Sequence, residues 1–432
     1  MPNVIVIGGG LAGLSAAAAL GSAGFGVRVF EARPFLGGRA TSFPLAPSED
    51  ASELIDNCQH VLLRCCVNLL DFYKRLGVLD RISFYREFYF IEPGGRISIL
   101  RRGLLPAPLH FTGSFLGLRF LSLGDKIAIA RGLLALRHER TRRDDLDRIT
   151  MLEWLREKRQ TPRAIERFWR QVLVSAINED IGRLAARHGF QVFWLGFLAR
   201  ADAYEMGVPA IPLGELYRAE LWQAAGDVSL RLRTPVERID PEGIIAAGER
   251  HTAEYYICAL PFERLPVLGL PAPAFEHSPI TGIHLWFDRR ITDLPHATLL
   301  DRTVQWVFNK SEGRYLQLVV SASRELAAAS RADIIALAVR ELGEFFPAAR
   351  GARLEKAHVI KELRATYSAA PGTEALRPPP ETGRPDLFLA GDWTRSGWPA
   401  TMEGAVRSGY LAAEAVARAS GRPARFLLPD IA

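Results

Sequence analysis

The chain has 432 residues, of which 48% are hydrophobic and 24% are charged. This length exceeds one ordinary domain, and the composition supports a sizeable core, which excludes a disordered chain. The net charge of +6 is dispersed and no nucleic-acid module accompanies it, so we expect no nucleic-acid partner. The four cysteines have no CxxC spacing. We therefore expect no metal site, a reducing compartment and a cytoplasmic location.

The first thirty residues have the pattern of a dinucleotide-binding unit. An apolar run at 4–7 is typical of a buried parallel strand, and Gly8, Gly10 and Gly13 follow it with GxGxxG spacing. These glycines permit a tight turn, close approach of a pyrophosphate and close packing of the next helix. Glu31 ends the second predicted strand, where a carboxylate accepts hydrogen bonds from ribose hydroxyls.

A second glycine pair follows the acid directly, in the stretch from Ala32 and Arg33 to Gly38, Arg39 and Ala40. This extension resembles the flavoproteins of the amine oxidase and phytoene desaturase superfamily. The resemblance implies that the cofactor is FAD and that the Gly-Gly-Arg segment lies along its diphosphate.

The stretch Asp56-Asn57-Cys58-Gln59-His60 resembles a subgroup of that superfamily, the squalene-associated, desaturase-like hydroxysqualene dehydroxylases of bacterial hopanoid pathways. The resemblance implies that this stretch passes beside the flavin ring. His60, Asp56 and Gln59 are therefore the candidate catalytic residues, with His60 as the acid because the usual pKa of histidine lies near 6.5. Cys58 departs from the glycine that the subgroup's pattern has at this position.

The segment 103–118 carries no Asp, Glu, Lys or Arg and is flanked by Arg101, Arg102 and Arg119. Proline and glycine break it too often for it to span a bilayer. Two interpretations stay open: a peripheral membrane contact over 103–123, or a loop and helix packed in the substrate domain. Later apolar residues, such as Leu133 and Phe193, fit either a lipid tunnel or simple core.

Strands are also predicted at 236–239 and 255–260, and the resemblance implies a backbone contact from Val236 to the adenine. A final apolar strand ends in Gly391 and Asp392, and a helix opens near Met402. The resemblance places Asp392 at the ribityl or diphosphate region, while the helix N-terminus favours negative charge. Together, the glycine motifs and what the resemblance implies assign the FAD contacts to Gly8, Gly10, Leu11, Ala12, Gly13, Glu31, Ala32, Arg33, Gly38, Arg39, Ala40, Asn57, Gln59, His60, Val236, Gly391, Asp392, Ala400, Thr401, Met402 and Ala405.

The placement of these motifs at the start, middle and end of the chain predicts two interleaved domains. We expect an α/β fold in which residues 1–60, 216–275 and 376–432 form a Rossmann-like FAD-binding domain of the amine-oxidase type. Residues 61–215 and 276–375 would form an α+β substrate domain.

The resemblance implies that the protein removes the hydroxyl of hydroxysqualene, giving squalene by hydride transfer from reduced FAD to an allylic cation. Its partners would then be a long apolar isoprenoid, an external electron donor and the inner face of the cytoplasmic membrane. A carotenoid or phytoene-type desaturase is the nearest alternative. A flavin amine oxidase and a non-catalytic flavin-binding partner are more distant alternatives.

Overall fold

The computed structural model describes residues 1–45 and 53–431. Its strands, in chain order, are β1 (Asn3–Ile7), β2 (Gly26–Phe30), β3 (Ser42–Pro44), β4 (Leu54–Asp56), β5 (Leu62–Leu63), β6 (Ile82–Tyr85), β7 (Glu87–Ile91), β8 (Ile97–Arg101), β9 (Met206–Pro209), β10 (Val228–Arg231), β11 (Val236–Asp240), β12 (Gly243–Ala246), β13 (Glu249–His251), β14 (Tyr255–Cys258), β15 (His277–Phe287), β16 (His296–Leu299), β17 (Trp306–Ser311), β18 (Tyr315–Ser321), β19 (Leu354–Tyr367) and β20 (Leu387–Leu389).

The α-helices are α1 (Leu11–Ser22), α2 (Val67–Arg75), α3 (Thr112–Leu116), α4 (Leu123–Glu139), α5 (Met151–Glu157), α6 (Pro162–Ala164), α7 (Gln171–Ile177), α8 (Ala186–Phe193), α9 (Arg331–Phe345), α10 (Thr373–Leu376) and α11 (Met402–Ala419). Two π-helical turns, Ile165–Arg170 and Trp194–Leu198, continue α6 and α8.

A five-stranded parallel sheet has the order β10-β2-β1-β14-β20. Its strands come from the start, the middle and the end of the chain, which confirms the predicted α/β class. The central strand β1 is apolar because both faces of the sheet are covered. Strand β10 was not predicted from the sequence. Val236 begins β11, which belongs not to the parallel sheet but to a separate antiparallel sheet of β11, β12 and β13.

A seven-stranded sheet has the order β19-β15-β18-β17-β16-β7-β8. One face packs on α9. The other face packs on the helical stretch that contains α4, α5, α7 and α8, and it carries Phe88, Phe308 and Val319. Side chains alternate between the two faces of a strand, so every second residue of β17 and β18 points toward these helices and away from α9.

Among the described residues, no helix is both long enough and apolar enough to cross a bilayer.

Candidate functional site

The turn after β1 has no room for side chains at Gly8 and Gly13. Gly8 has φ +109°, and a Cβ on Gly13 would lie 2.0 Å from the carbonyl oxygen of Gly8. Helix α1 begins at Leu11, and its N-cap residue Gly10 offers no side-chain cap. The first N–H groups of α1, including those of Leu11 and Ala12, are therefore free of intrahelical partners and suit a phosphate.

The carboxylate of Glu31 is fixed in place by backbone donors. Its Oε2 accepts from the N–H of Gly9 at 2.7 Å, and its Oε1 accepts from the N–H of Arg33 at 2.8 Å. The loop that leads to Val236 lies beside it, because the N–H of Thr234 donates to the carbonyl oxygen of Glu31 at 2.9 Å. Lone pairs remain on the carboxylate for ribose hydroxyls. These contacts hold Glu31 and Arg33, with Ala32 between them, just beyond the carboxyl end of β2, and they bring Thr234, two residues before Val236, against Glu31.

The second glycine pair packs directly on the first. Gly37 donates to the carbonyl oxygen of Gly9 at 2.8 Å, and a Cβ on Gly38 would lie 3.0 Å from the Cα of Gly10. Arg39 follows, but its guanidinium donates to Asp392 at 2.7 Å and to the carbonyl oxygen of Ala365 at 2.7 Å. Arg39 thus ties the N-terminal glycine segment to the C-terminal Gly-Asp turn, and Ala40 is buried behind it.

A second helix N-terminus meets the first. Thr401 caps α11 by accepting from the N–H of Gly404 at 3.0 Å, with Ala400, Met402 and Ala405 around the same turn. A Cβ on Gly409 would lie 2.2 Å from the carbonyl oxygen of Ala12, so α1 and α11 cross without intervening side chains. Gly391 lies at the end of β20 with φ +153°, beside this crossing. The N-termini of both helices and the Gly-Asp turn therefore form one cradle that an extended dinucleotide fits.

Arg377 is a supporting residue that was not predicted from the sequence. It is 1% exposed and donates to the carbonyl oxygens of Asp392, at 3.0 Å, and Thr394, and to Oγ of Ser396 at 3.1 Å. Arg377 thereby fixes the turn that carries Asp392.

Asp56 is a buried acceptor whose oxygens are already occupied. Its Oδ1 accepts from Ser42 Oγ at 2.6 Å and from the N–H of Leu213 at 2.9 Å, and its Oδ2 accepts from Lys310 Nζ at 3.1 Å. Lys310 also donates to Gln59 Oε1 at 2.9 Å. Lys310 lies on β17 and was not among the predicted site residues, although it is the cation that neutralises Asp56 in the folded chain.

Asn57 and Cys58 cross the seven-stranded sheet at Gly282. A Cβ on Gly282 would lie 3.1 Å from the carbonyl oxygen of Asn57. The Oδ1 of Asn57 is buried and accepts no hydrogen bond from the described residues. A donor on a bound cofactor would satisfy it, as buried acceptors require. Burial raises the pKa of the Cys58 thiol to about 12, so this side chain is a neutral thiol packed among apolar residues.

His60 has a defined tautomer when neutral. Its Nδ1 lies 3.0 Å from the carbonyl oxygen of Cys58, so Nδ1 carries the hydrogen and Nε2 is an acceptor. Burial lowers the pKa of His60 from its usual value. To act as an acid through Nε2, His60 must first be protonated, and its lowered pKa makes the protonated form less populated near neutral pH than it is for an ordinary histidine.

The glycine turn, Glu31 and the paired helix N-termini define an FAD site, and the protein is an FAD-dependent oxidoreductase. Residues 11–417 match the family model described as flavin containing amine oxidoreductase, and the chain belongs to that family.

Two cyanobacterial relatives are similar over nearly the whole chain. The 15-cis-phytoene desaturase of Synechococcus elongatus is 27% identical, with 98% of each chain covered. The probable zeta-carotene desaturase of the same organism is also 27% identical, covering 96% of this chain and 99% of the relative.

Solved structures share the fold. An oxidoreductase from Methanosarcina mazei superposes with a TM-score of 0.70 at 18% identity, covering 94% of this chain and 98% of that one. Cyclohexylamine oxidase from Brevibacterium oxydans superposes with a TM-score of 0.65 at 19% identity, covering 98% and 100%. At these identities the likeness extends to the fold alone.

Proposed function

We propose that this flavoenzyme acts on a long polyprenyl chain and reductively removes the hydroxyl of hydroxysqualene, giving squalene. The proposal is carried by a chain of neighbouring aromatic rings that leads from the strand bearing Lys310 toward the protein surface. Ring centroids are 5.6 Å apart for Phe308 and Trp306, and 6.3 Å apart for Trp306 and Phe88. The series continues to Phe197 at 6.3 Å and then to Phe111 at 6.2 Å.

An interior of this kind suits an apolar substrate and serves the chemistry. Loss of hydroxide from an allylic alcohol leaves a cation that water would convert back to the alcohol, so the aromatic lining must exclude water. The C–O bond breaks, the departing oxygen takes up a proton to leave as water, and a hydride forms the new C–H bond. Bound FAD supplies the two-electron hydride chemistry.

The chain's own residues divide the remaining tasks. His60 is the candidate proton donor, since its Nε2 has no role in fixing the ring. Asp56 is held by Ser42, Leu213 and Lys310, so we assign it to positioning of the segment that contains His60. Gln59 is held by Lys310 in the same way.

A desaturase is the second candidate function. It is favoured by the two desaturase relatives, which match this chain from end to end. A desaturase would use the same apolar interior and run the hydride in the opposite direction, from the hydrocarbon to oxidised FAD. The Asp-Asn-x-Gln-His stretch, which resembles the dehydroxylases, supports the reductive direction.

The two functions separate in one assay panel. FAD-loaded protein is incubated without oxygen, with hydroxysqualene and reduced FAD, with phytoene and oxidised FAD, and with cyclohexylamine and oxidised FAD. Squalene formed only with reduced FAD is the expected result. Conversion of phytoene alone would replace the proposal with the desaturase, and conversion of the amine alone would replace it with an amine oxidase. Bound FAD with no conversion of any substrate would leave a non-catalytic partner.

We also propose that the protein takes its substrate from an anionic membrane surface. The docking surface consists of exposed apolar side chains in 104–134, namely Leu104, Leu105, Leu109, Leu116, Leu123, Ile127 and Leu134. The exposed cations Arg101, Arg102, Arg119 and Arg131 lie in or beside the same stretch of the sequence. The surface extends beyond the predicted segment 103–123 into α4, and Phe111 connects it to the aromatic series. Apolar groups rimmed by cations match a bilayer with anionic headgroups.

Vesicle sedimentation tests the docking surface. We expect the protein to sediment with phosphatidylglycerol vesicles more than with phosphatidylcholine vesicles, and the double variant Leu104→Asp, Leu109→Asp to stay in the supernatant. The paired control is Val267→Asp, an exposed apolar residue outside the surface. Equal sedimentation of the double variant and the wild type would refute this docking site.

A further inference from the structure

His296 lies on the face of the seven-stranded sheet that carries Phe88, Phe308 and Val319, in one row with residues that contact the candidate site. It pairs across strands with Phe308, and Phe308 pairs with Gln317 on its other side. Gln317 in turn donates to the carbonyl oxygen of Asp56 at 3.5 Å. With strands spaced about 4.8 Å apart, His296 is about 10 Å across the sheet from Gln317.

The imidazole of His296 is buried without hydrogen bonds. The residue is 1% exposed, and neither Nδ1 nor Nε2 has a hydrogen-bond partner among the described residues. Burial lowers the pKa of His296 to about 4, with no neighbouring charge contributing, so the ring is neutral near pH 7. A neutral imidazole offers one donor and one acceptor, and leaving both unpaired in a core is unfavourable.

The surroundings of His296 limit what could satisfy it. Five aromatic rings lie around it, with centroid distances from 5.1 to 6.3 Å: Tyr85, Phe88, Tyr89, Trp306 and Phe308. Phe88, Trp306 and Phe308 are members of the aromatic series that carries the proposed function. None of these rings hydrogen-bonds His296, so a partner that enters with an apolar ligand would have to both donate and accept.

We infer that His296 hydrogen-bonds the hydroxyl of a polyprenyl alcohol held along the aromatic series, before that hydroxyl reaches His60, and makes the protein select an alcohol over the corresponding hydrocarbon. This inference rests on the proposed function for its choice of substrate class. A hydroxyl group both donates and accepts, as the neutral imidazole requires. A hydrocarbon would leave the imidazole unpaired, and a site built to bind a hydroxyl rejects ligands that lack one for this reason.

Ligand binding to the FAD-loaded protein tests the inference independently of turnover. Hydroxysqualene and squalene are titrated separately, and the ligand retained after rapid size-exclusion is measured by mass spectrometry. We expect the wild type to bind the alcohol about tenfold more tightly than the hydrocarbon. His296→Phe should bind both equally, by losing affinity for the alcohol alone, and His296→Asn should recover part of the preference because an amide also donates and accepts.

The matched control is His188→Phe in α8, another buried histidine, whose Nδ1 lacks a partner among the described residues. It should keep the wild-type preference. A wild-type preference in His296→Phe would overturn the inference, and so would an equal loss of affinity for both ligands. If His296→Phe does not fold, equal binding of the alcohol and the hydrocarbon by the wild type would overturn it. Failure of the proposed function gives a different result, a wild type that binds the alcohol selectively but forms no squalene.

Discussion

The variant Gly10→Ala tests whether the glycine turn after β1 binds a cofactor or serves only the fold of the protein. Gly10 has φ −81° and ψ 175°, which alanine adopts freely, and the nearest atom to a Cβ there is the Cα of Gly38 at 4.0 Å. The free protein can therefore accept the methyl group without rearrangement. A dinucleotide whose pyrophosphate approaches this backbone cannot, because the methyl group would occupy the space of contact.

The expected magnitude follows from overpacking. Forcing an extra methyl group into a close-packed contact costs about 1–3 kcal/mol, which weakens FAD binding roughly 5- to 150-fold. Reconstitution of the apoprotein, followed by quenching of flavin fluorescence, measures the affinity, and thermal unfolding of the apoprotein measures stability. We expect Gly10→Ala to lose affinity at unchanged apoprotein stability.

Two further glycine variants frame this result. In Gly13→Ala the Cβ would lie 2.0 Å from the carbonyl oxygen of Gly8, so apoprotein stability should fall as well. In Gly343→Ala, within α9, the Cβ would meet only the Cγ of Arg350 at 3.6 Å, and FAD affinity should not change. Wild-type affinity in Gly10→Ala would show that the pyrophosphate does not lie against this turn.

Three other outcomes follow from the site. Lys310→Met leaves the Asp56 carboxylate buried without its cation, which should lower the free energy of unfolding of the apoprotein by about 3 kcal/mol. Adding Asp56→Asn should restore most of that loss. If urea unfolding shows that the two losses add, the pairing is refuted. Burial raises the pKa of Glu403 to about 7. The stability that protonated Glu403 contributes is therefore present below about pH 4.5 and lost as the pH rises through about 7. Glu403→Gln should remove roughly 3 kcal/mol of this pH dependence. Unfolding curves of Glu403→Gln at pH 5 and pH 8 that match those of the wild type would contradict this prediction. His60→Ala should keep bound FAD and lose turnover. Turnover of the wild type should increase as the pH falls below 6.5, because the lowered pKa of His60 means that its protonated form is populated only at lower pH. Undiminished turnover in His60→Ala would show that His60 takes no part in the chemistry.

The cofactor site was the part of the molecule most open to sequence reasoning. Gly10 is required only by the approach of the pyrophosphate. Gly8 and Gly13 are required by local geometry, since Gly8 has φ +109° and a Cβ on Gly13 would meet the carbonyl oxygen of Gly8. The same holds for the strand and helix around Gly391. Segments of this kind carry their structural role in a few consecutive residues, and the parallel sheet then brings them together.

The groups that hold the Asp56–His60 stretch could not be found in this way. Lys310 contacts Asp56 across 254 residues of sequence, and the contact depends on how β17 is placed in the seven-stranded sheet. Arg377 was not predicted, because two of its partners are carbonyl oxygens, which no sequence pattern reveals. In the sequence, nothing distinguishes His296 from any other histidine in a strand. Its five aromatic neighbours become apparent only when the strands are paired in the folded chain.

The apolar stretch at 104–134 shows a similar limit. The spacing of the apolar residues in this stretch favours simple core over a lipid tunnel, but Ile127 and Leu134 are exposed on α4. Ile129 and Leu136, on the same helix, are buried. Helical periodicity alone did not show which face of α4 packs against the rest of the protein.

The central claim is that this flavoenzyme delivers hydride to a polyprenyl alcohol. The most direct test is anaerobic incubation of FAD-loaded protein with hydroxysqualene and chemically reduced FAD in D2O, followed by mass spectrometry of the lipids. The account predicts squalene with one deuterium at the carbon that lost its hydroxyl, since the transferable hydrogen of reduced flavin exchanges with solvent. Unchanged hydroxysqualene, from a preparation that desaturates phytoene with oxidised FAD, would contradict it.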